Sequence, residues 1–480
     1  MADATTADIP ADLVKVAEEK GIPLDVVQRA LALGFPADLV KTQLAMPDTT
    51  AEAAEAFVAE QERIRAGGEI TLSDEMTAAA AEAKWPEDLI KRALRLGAPE
   101  AMIINQMKAG IKPEQAEAFI VQQEALRAGG GAPQLDLSWM KVPTEWGIRV
   151  RPTKHGLTIG AINVGTYGDI PDYWPYQTEM PRGAYPIPGV PSMGYSIFDK
   201  AELWADNAAD LYEEAIQRRW RPAMDVPWDT MEPLPDEIEK AMCQLCTALC
   251  EKALVTGDLI GKWLPEMSYG YHEVKLYLST AGFDAARQFE VFRKRALSNG
   301  GGMGVQSPGY FHRALIDTRF WTEASSTALL FHNSFLMGLY QIGYYTAHND
   351  AERYIFSGTM QDISRQMAYA MQHLRYFLLR KPDRRDEMQH ALNKNEAVFS
   401  YEWSKDTPLR EALLILLGGG TSAEQLADGE VKFRYFWKRW INDYAFRLAG
   451  AGLPDRREKM HPQLREFITQ PEEEKEQAAA

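Results

Sequence analysis

The chain has 480 residues, of which 46% are hydrophobic and 25% charged, a composition that is ordinary for a protein able to bury a large apolar core. Its net charge of −16 disfavours nucleic acid or an anionic membrane surface as a general partner. Residues 1–20 contain no apolar secretory segment and no apolar run approaches the ~18 residues of a membrane-spanning helix, so we expect a cytoplasmic protein without membrane contact.

The first predicted element is an internal repeat within residues 1–130. The string Ala-Glu-Ala-Phe at 54–57, followed by Arg-Ala-Gly-Gly at 65–68, returns at 116–119 and 127–130. Prolines at first-turn positions, apolar residues at helical spacing and terminal glycines predict several short helices in each copy. Helical modules of this kind bind a partner or pack onto their own chain, and the sequence leaves both alternatives open.

Residues 131–200 differ in character, because prolines and aromatic residues are frequent between 173 and 195. Two short runs in which apolar residues alternate with others, at 147–151 and 157–159, flank a Lys-His-Gly string and predict a β-hairpin. We interpret the rest of the segment as an extended arm that lies over a surface. The sequence does not identify that surface.

Residues 201–460 are dominated by apolar residues at helical spacing with short joins, which predicts an α-helical bundle. The acidic tail at 461–480 is expected to be disordered. The expected fold class is therefore all-α, with small repeats, an arm and a bundle in chain order. The predicted helices lie at 201–220, 236–264, 270–297, 310–347, 351–379, 408–417 and 431–449.

Two of these helices carry a short string that occurs twice. It reads Asp-Ala-Ala-Arg-Gln at 284–288 and Asp-Ile-Ser-Arg-Gln at 362–366. Both copies resemble the Asp-Glu-x-Arg-His motif of the ferritin-like diiron carboxylate proteins, whose Glu and His, three residues apart, hold metal inside a helical bundle. The resemblance implies an oxygenase fold that has lost its metal. The four positions that correspond to the ligands are Ala285, Gln288, Ile363 and Gln366.

The Asp and Arg of the motif are retained as Asp284, Arg287, Asp362 and Arg365. In the family such residues support the metal ligands, but their i, i+3 spacing also allows an ion pair within each helix when no metal is bound. A dimetal site needs about four carboxylates and two imidazoles, which two neutral amides do not replace. We therefore predict no metal, no cofactor and no catalytic residue in this chain. Chance recurrence of the string on two unrelated helices is the simpler alternative.

Glu251 lies upstream of Ala285 at about the distance of the family's first-helix carboxylate. Its counterpart in the second half of the bundle falls near Leu329 or Leu330, which cannot bind metal. One leftover carboxylate does not make a site, so we interpret Glu251 as a salt-bridging residue.

The resemblance extends over about residues 200–450. The string at 212–220, followed by Asp-Val-Pro-Trp at 225–228, resembles the opening helix of ribonucleotide-reductase-like ferritin folds, and 440–444 resembles the closing helix of bacterial multicomponent monooxygenase hydroxylases. In those hydroxylases a metal-bearing α subunit pairs with a similarly folded β subunit that has lost its ligands. The resemblance implies a β-type subunit whose partner is a diiron α subunit. Reductase or regulatory components of the same complex are further candidate partners.

Two other functions stay open. One is an oxygenase or oxidase with an atypical metal site, which would have to bring the leftover polar residues to one point although Asp284 and Asp362 lie about 100° around the helix from the ligand faces. The other is a stand-alone interaction protein built on an inactive enzyme fold. The atypical site would consist of Glu251, Asp284, Gln288, Asp362 and Gln366.

Overall fold

The computed structural model describes residues 9–35, 37–46, 49–127, 137–142 and 147–468. Within these ranges every regular element is a helix and β pairing is limited to isolated bridges, so the predicted all-α class is confirmed for the described chain. None of the helices in these ranges is both long and apolar enough to cross a bilayer. The chain divides into two compact units, Met1–Lys141 and Val142–Ala480.

The first unit contains two sets of short helices with separate apolar cores. Several helices begin directly after a proline and end near a glycine in the left-handed conformation, as Pro23 and Gly34 do for α2. The first set comprises α1 (Ala11–Glu19), α2 (Leu24–Ala32), α3 (Ala37–Ala45) and α4 (Ala51–Arg65). The second set comprises α5 (Asp74–Ala83), α6 (Glu87–Arg95), α7 (Glu100–Lys108) and α8 (Pro113–Arg127).

The repeated sequence folds into repeated contacts. In the first set, Arg29 on α2 binds Glu55 and Glu62 on α4, each at 2.7 Å. In the second set the corresponding Arg92 on α6 binds Glu124 on α8, also at 2.7 Å. Equivalent arginines therefore join equivalent helix pairs, although these partly exposed ion pairs add only modestly to stability.

The second unit is built from long helices. A π-helix, Ser325–His332, joins α13 to α14, and short 3₁₀ turns occur elsewhere. The helices are α9 (Ala208–Gln217), α10 (Asp236–Trp263), α11 (His272–Ser298), α12 (Tyr310–Ile316), α13 (Trp321–Ala324), α14 (Asn333–Tyr345), α15 (Asp350–Arg380), α16 (Arg385–Trp403), α17 (Thr407–Gly418), α18 (Ala423–Gly450), α19 (Arg456–Lys459) and α20 (Pro462–Arg465).

Four of these helices form a closed ring around the main apolar core. Helix α10 packs along α11, α11 on α15, α15 on α14, and α14 returns to α10. The prediction of a single helix at 310–347 is wrong, because α12 ends at Ile316 and the next helix begins only at Trp321. Of the predicted disordered tail, residues 461–468 form α20 and its flanks, and residues 469–480 lie outside the described residues.

The segment predicted as an extended arm covers the second unit's own helices. Trp174 and Ile197 enter the main core, and Trp174 lies so close to Gly270 that a Cβ at position 270 would meet its ring at 2.3 Å. Arg182, with a side chain 4% exposed, binds Glu273 at 2.5 Å in the first turn of α11. The arm is therefore part of this fold, and removing it would expose core residues.

The predicted β-hairpin is reduced to one contact. Thr153 and Gly156 form an isolated antiparallel bridge, and neither apolar run beside it forms a strand. Both runs are largely exposed, so no buried face stabilises a pair of strands there.

Candidate functional site

The two copies of the repeated string lie beside each other, on α11 and α15. The helices present the four ligand-type positions to the interior, where each side chain is at most 2% exposed. Helix α15 begins after Asn349, whose side-chain oxygen accepts a hydrogen bond from the backbone N–H of Glu352 at 2.8 Å. The buried positions are Ala285, Gln288, Ile363 and Gln366.

Both glutamines are tied to α14. Tyr340 donates its hydroxyl hydrogen to Gln288 Oε1 at 3.3 Å, and Asn333 Nδ2 donates to Gln366 Oε1 at 2.8 Å. The Nε2 groups of both glutamines find no protein partner. The interior therefore holds neutral amides whose oxygens are already occupied, a poor donor set for two divalent cations.

The retained charged residues form a closed quartet between α11 and α15. Arg287 binds Asp284 at 2.5 Å and Asp362 at 2.8 Å. Arg365 binds Asp362 at 2.6 Å and Asp284 at 2.9 Å. All four side chains are at most 4% exposed. The ion pairs expected within each helix are present, and each arginine also reaches the aspartate of the other helix.

Trp220, at the end of the string 212–220, covers this quartet from one side. Its indole N–H donates to Asp362 Oδ2 at 3.3 Å, and the Arg287 guanidinium lies 5.0 Å from the centre of its ring. The absence of a side chain at Gly358 on α15 makes room for the indole, since a Cβ there would approach it to 2.9 Å. In the sequence, Trp220 is notable only as the end of the string 212–220. Its contact with the motif depends on tertiary packing, which the sequence does not reveal.

Burial raises the pKa of Asp284, and the neighbouring charge of Asp362 raises it further. The two guanidinium groups oppose this effect, and the pKa of Asp284 lies at about 6 instead of 3.8. The folded state therefore holds this proton more tightly than the unfolded chain does. The stabilisation from protonated Asp284 is complete below about pH 4 and is lost as the pH rises through 6.

Replacing Asp284 by Asn removes this titration, so the free energy of unfolding should fall less between about pH 4 and pH 6 in the variant than in the native protein. The difference between the two proteins should change by on the order of 2 kcal/mol over that interval. Denaturant unfolding at a series of pH values measures it. Parallel pH profiles for the two proteins would contradict the shift.

Glu251 on α10 binds the loop that precedes α12. Its carboxylate accepts from the backbone N–H of Ser307 at 3.2 and 3.3 Å, and burial raises its pKa. On α10, Gly257 approaches Ala285, and an added Cβ there would lie 3.8 Å from the alanine methyl. Glu251 therefore makes a backbone contact in place of the expected salt bridge, because the loop before α12 supplies an N–H at this point.

The side chains of the proposed atypical metal site are not brought to one point. Asp284 and Asp362 are neutralised by arginines, and Glu251 faces another loop. Leu329 and Leu330 lie fully buried in the π-helix. Across the ranges that the structure describes, no three His, Cys, Asp or Glu side chains are grouped closely enough to hold a metal ion.

Comparisons of this chain with protein-family models, with curated proteins and with solved structures found no match.

Proposed function

We propose that this chain is a non-catalytic, ferritin-like subunit of a diiron oxygenase complex, in which it supports a metal-bearing paralogue. The observation that carries the proposal is the pairing of two Asp-x-x-Arg-Gln strings on adjacent buried helices, α11 and α15. A chance recurrence on unrelated helices would not be expected to place both copies face to face with all four charged residues in one quartet.

The same geometry favours a supporting subunit over an enzyme. A reaction at a dimetal centre needs charged ligands from several helices, whereas this interior offers Ala285, Ile363 and two amides. The Asp-Arg quartet supplies the cohesion between helices that a metal cluster would otherwise provide. On this proposal the chain carries no cofactor, and the diiron centre belongs to the α-type partner subunit, with reductase or regulatory components in the same complex.

Co-purification from the native host tests the proposal directly. The full chain, tagged at its chromosomal locus, should recover in near-equal amount a second chain whose sequence contains two intact Asp-Glu-x-Arg-His motifs. Iron analysis should find metal in the complex and none in stoichiometric amount in this chain when it is produced alone in iron-rich medium. An untagged strain processed in parallel controls for non-specific recovery.

Two results would overturn the proposal in different ways. Two metal ions per isolated chain would favour an oxygenase or oxidase with an atypical site. Recovery of the chain alone, as a metal-free monomer, would favour a stand-alone interaction protein.

A further inference from the structure

A second polar centre lies in the large unit outside the motif, around Lys252 on α10. The Lys252 side chain is only 3% exposed and its Nζ lies 5.9 Å from the centre of the Phe335 ring. Among the residues that the structure describes, no carboxylate oxygen lies within 4.0 Å of this Nζ and no acceptor forms a hydrogen bond with it. A buried ammonium with three N–H donors is costly unless those donors find partners.

Two carboxylates face Lys252 without touching it. Glu402 is held by the backbone N–H of Phe311 at 2.6 Å, and Asp406 accepts from the N–H of Leu409 at 3.4 Å and begins α17. Both are buried, and together with Glu251 they are the negative charges that act on the Lys252 amine. Each of these backbone contacts uses one oxygen of its carboxylate.

A small pocket, partly open to solvent, lies beside the lysine and these carboxylates. It is lined by Lys252, Glu402 and Asp406 together with aromatic and aliphatic side chains. The space that the centre of a water molecule can occupy in it is about 10 Å³. On that measure ~10–15 Å³ is enough for one water, provided that polar partners surround it. The lining residues include one donor group, the Lys252 ammonium, and two acceptor groups, the carboxylates of Glu402 and Asp406. The apolar part of the lining comprises Phe311, Phe335, Phe399, Trp403 and Leu409.

We propose that this cavity is a binding site for a single ordered water molecule, which accepts a hydrogen bond from Lys252 Nζ and donates to Glu402 and Asp406. The water completes an ion cluster that joins α10 to α16 and α17. Without this water the ammonium has no hydrogen-bond partner among the described residues.

A crystal structure of the full chain that orders internal water tests the site directly. We expect one density peak within hydrogen-bond distance of Lys252 Nζ and of a Glu402 or Asp406 oxygen. An empty cavity, or Nζ in direct contact with either carboxylate, overturns the proposal.

A measurement in solution does not depend on crystals. Leu409→Phe enlarges a lining side chain and should displace the water, so it should lower the melting temperature of the native protein. In a Lys252→Met background no ammonium needs the water, and the same substitution should cost less. Equal shifts in both backgrounds, or a higher melting temperature for Leu409→Phe alone, count against a water. Lys240→Met, at an exposed lysine of the same helix that binds Asp236 at 2.6 Å, controls for loss of charge.

Discussion

Replacing Arg365 by Met should destabilise the large unit by about 3–5 kcal/mol, because it leaves two buried aspartates with one guanidinium. Arg365 contacts Asp284 at 2.9 Å and Asp362 at 2.6 Å, and its side chain is 3% exposed. Methionine keeps much of the volume and adds no polar group, so the effect reports on charge. Denaturant unfolding of the native protein and the variant at neutral pH measures the loss.

Two variants make this result specific. Arg313→Met breaks an ion pair with Asp317 whose side chains are 74% and 48% exposed, and it should cost less than about 1 kcal/mol. The double variant Asp284→Asn with Arg365→Met restores neutrality and should be more stable than Arg365→Met alone. If the free energy of unfolding of Arg365→Met lay within about 1 kcal/mol of the native value, the quartet would contribute no more to stability than an exposed ion pair does.

The quartet also shows which features of the site could be predicted from the sequence. Helical spacing alone predicts the pairs Asp284 with Arg287 and Asp362 with Arg365, because residues three apart lie on one face. The contacts between helices depend on the register of α11 against α15, and no local rule sets that register. Trp220 illustrates the same limit, since its approach to Asp362 joins residues 142 positions apart.

The arm shows a different limit. Its composition predicts an extended chain, but the surface that it covers is decided by contacts such as Arg182 with Glu273, which lie 91 residues apart. The hairpin prediction followed from alternating apolar residues, and it is wrong because those residues meet no buried surface. Glu251 was placed by distance along the chain, whereas its direction is decided by the neighbouring loop at Ser307.

Placing the ligand residues of the diiron proteins at the four buried positions is the most demanding test of the proposed relationship to a diiron bundle. The variant carries Ala285→Glu, Gln288→His, Ile363→Glu and Gln366→His, all at positions at most 2% exposed. Without metal it should lose on the order of 5 kcal/mol, because two carboxylates enter an apolar interior without counter-charges and larger side chains crowd it. Calorimetry in the presence of a chelator measures the fall in melting temperature.

Added ferrous iron should recover only part of this loss. The variant offers two carboxylates and two imidazoles, which is two carboxylates fewer than the usual set. Gly257 of α10, which approaches Ala285, has no side chain that could supply one. The matched control is Ala286→Glu with Ser364→Glu, which adds the same two carboxylates one residue along, on the exposed sides of the same helices. That control should melt near the native temperature with or without iron, since exposed carboxylates remain solvated. Equal melting temperatures for the ligand variant and the control would mean that the four positions do not converge on a closed interior, and the proposed relationship to a diiron bundle would lose its structural basis.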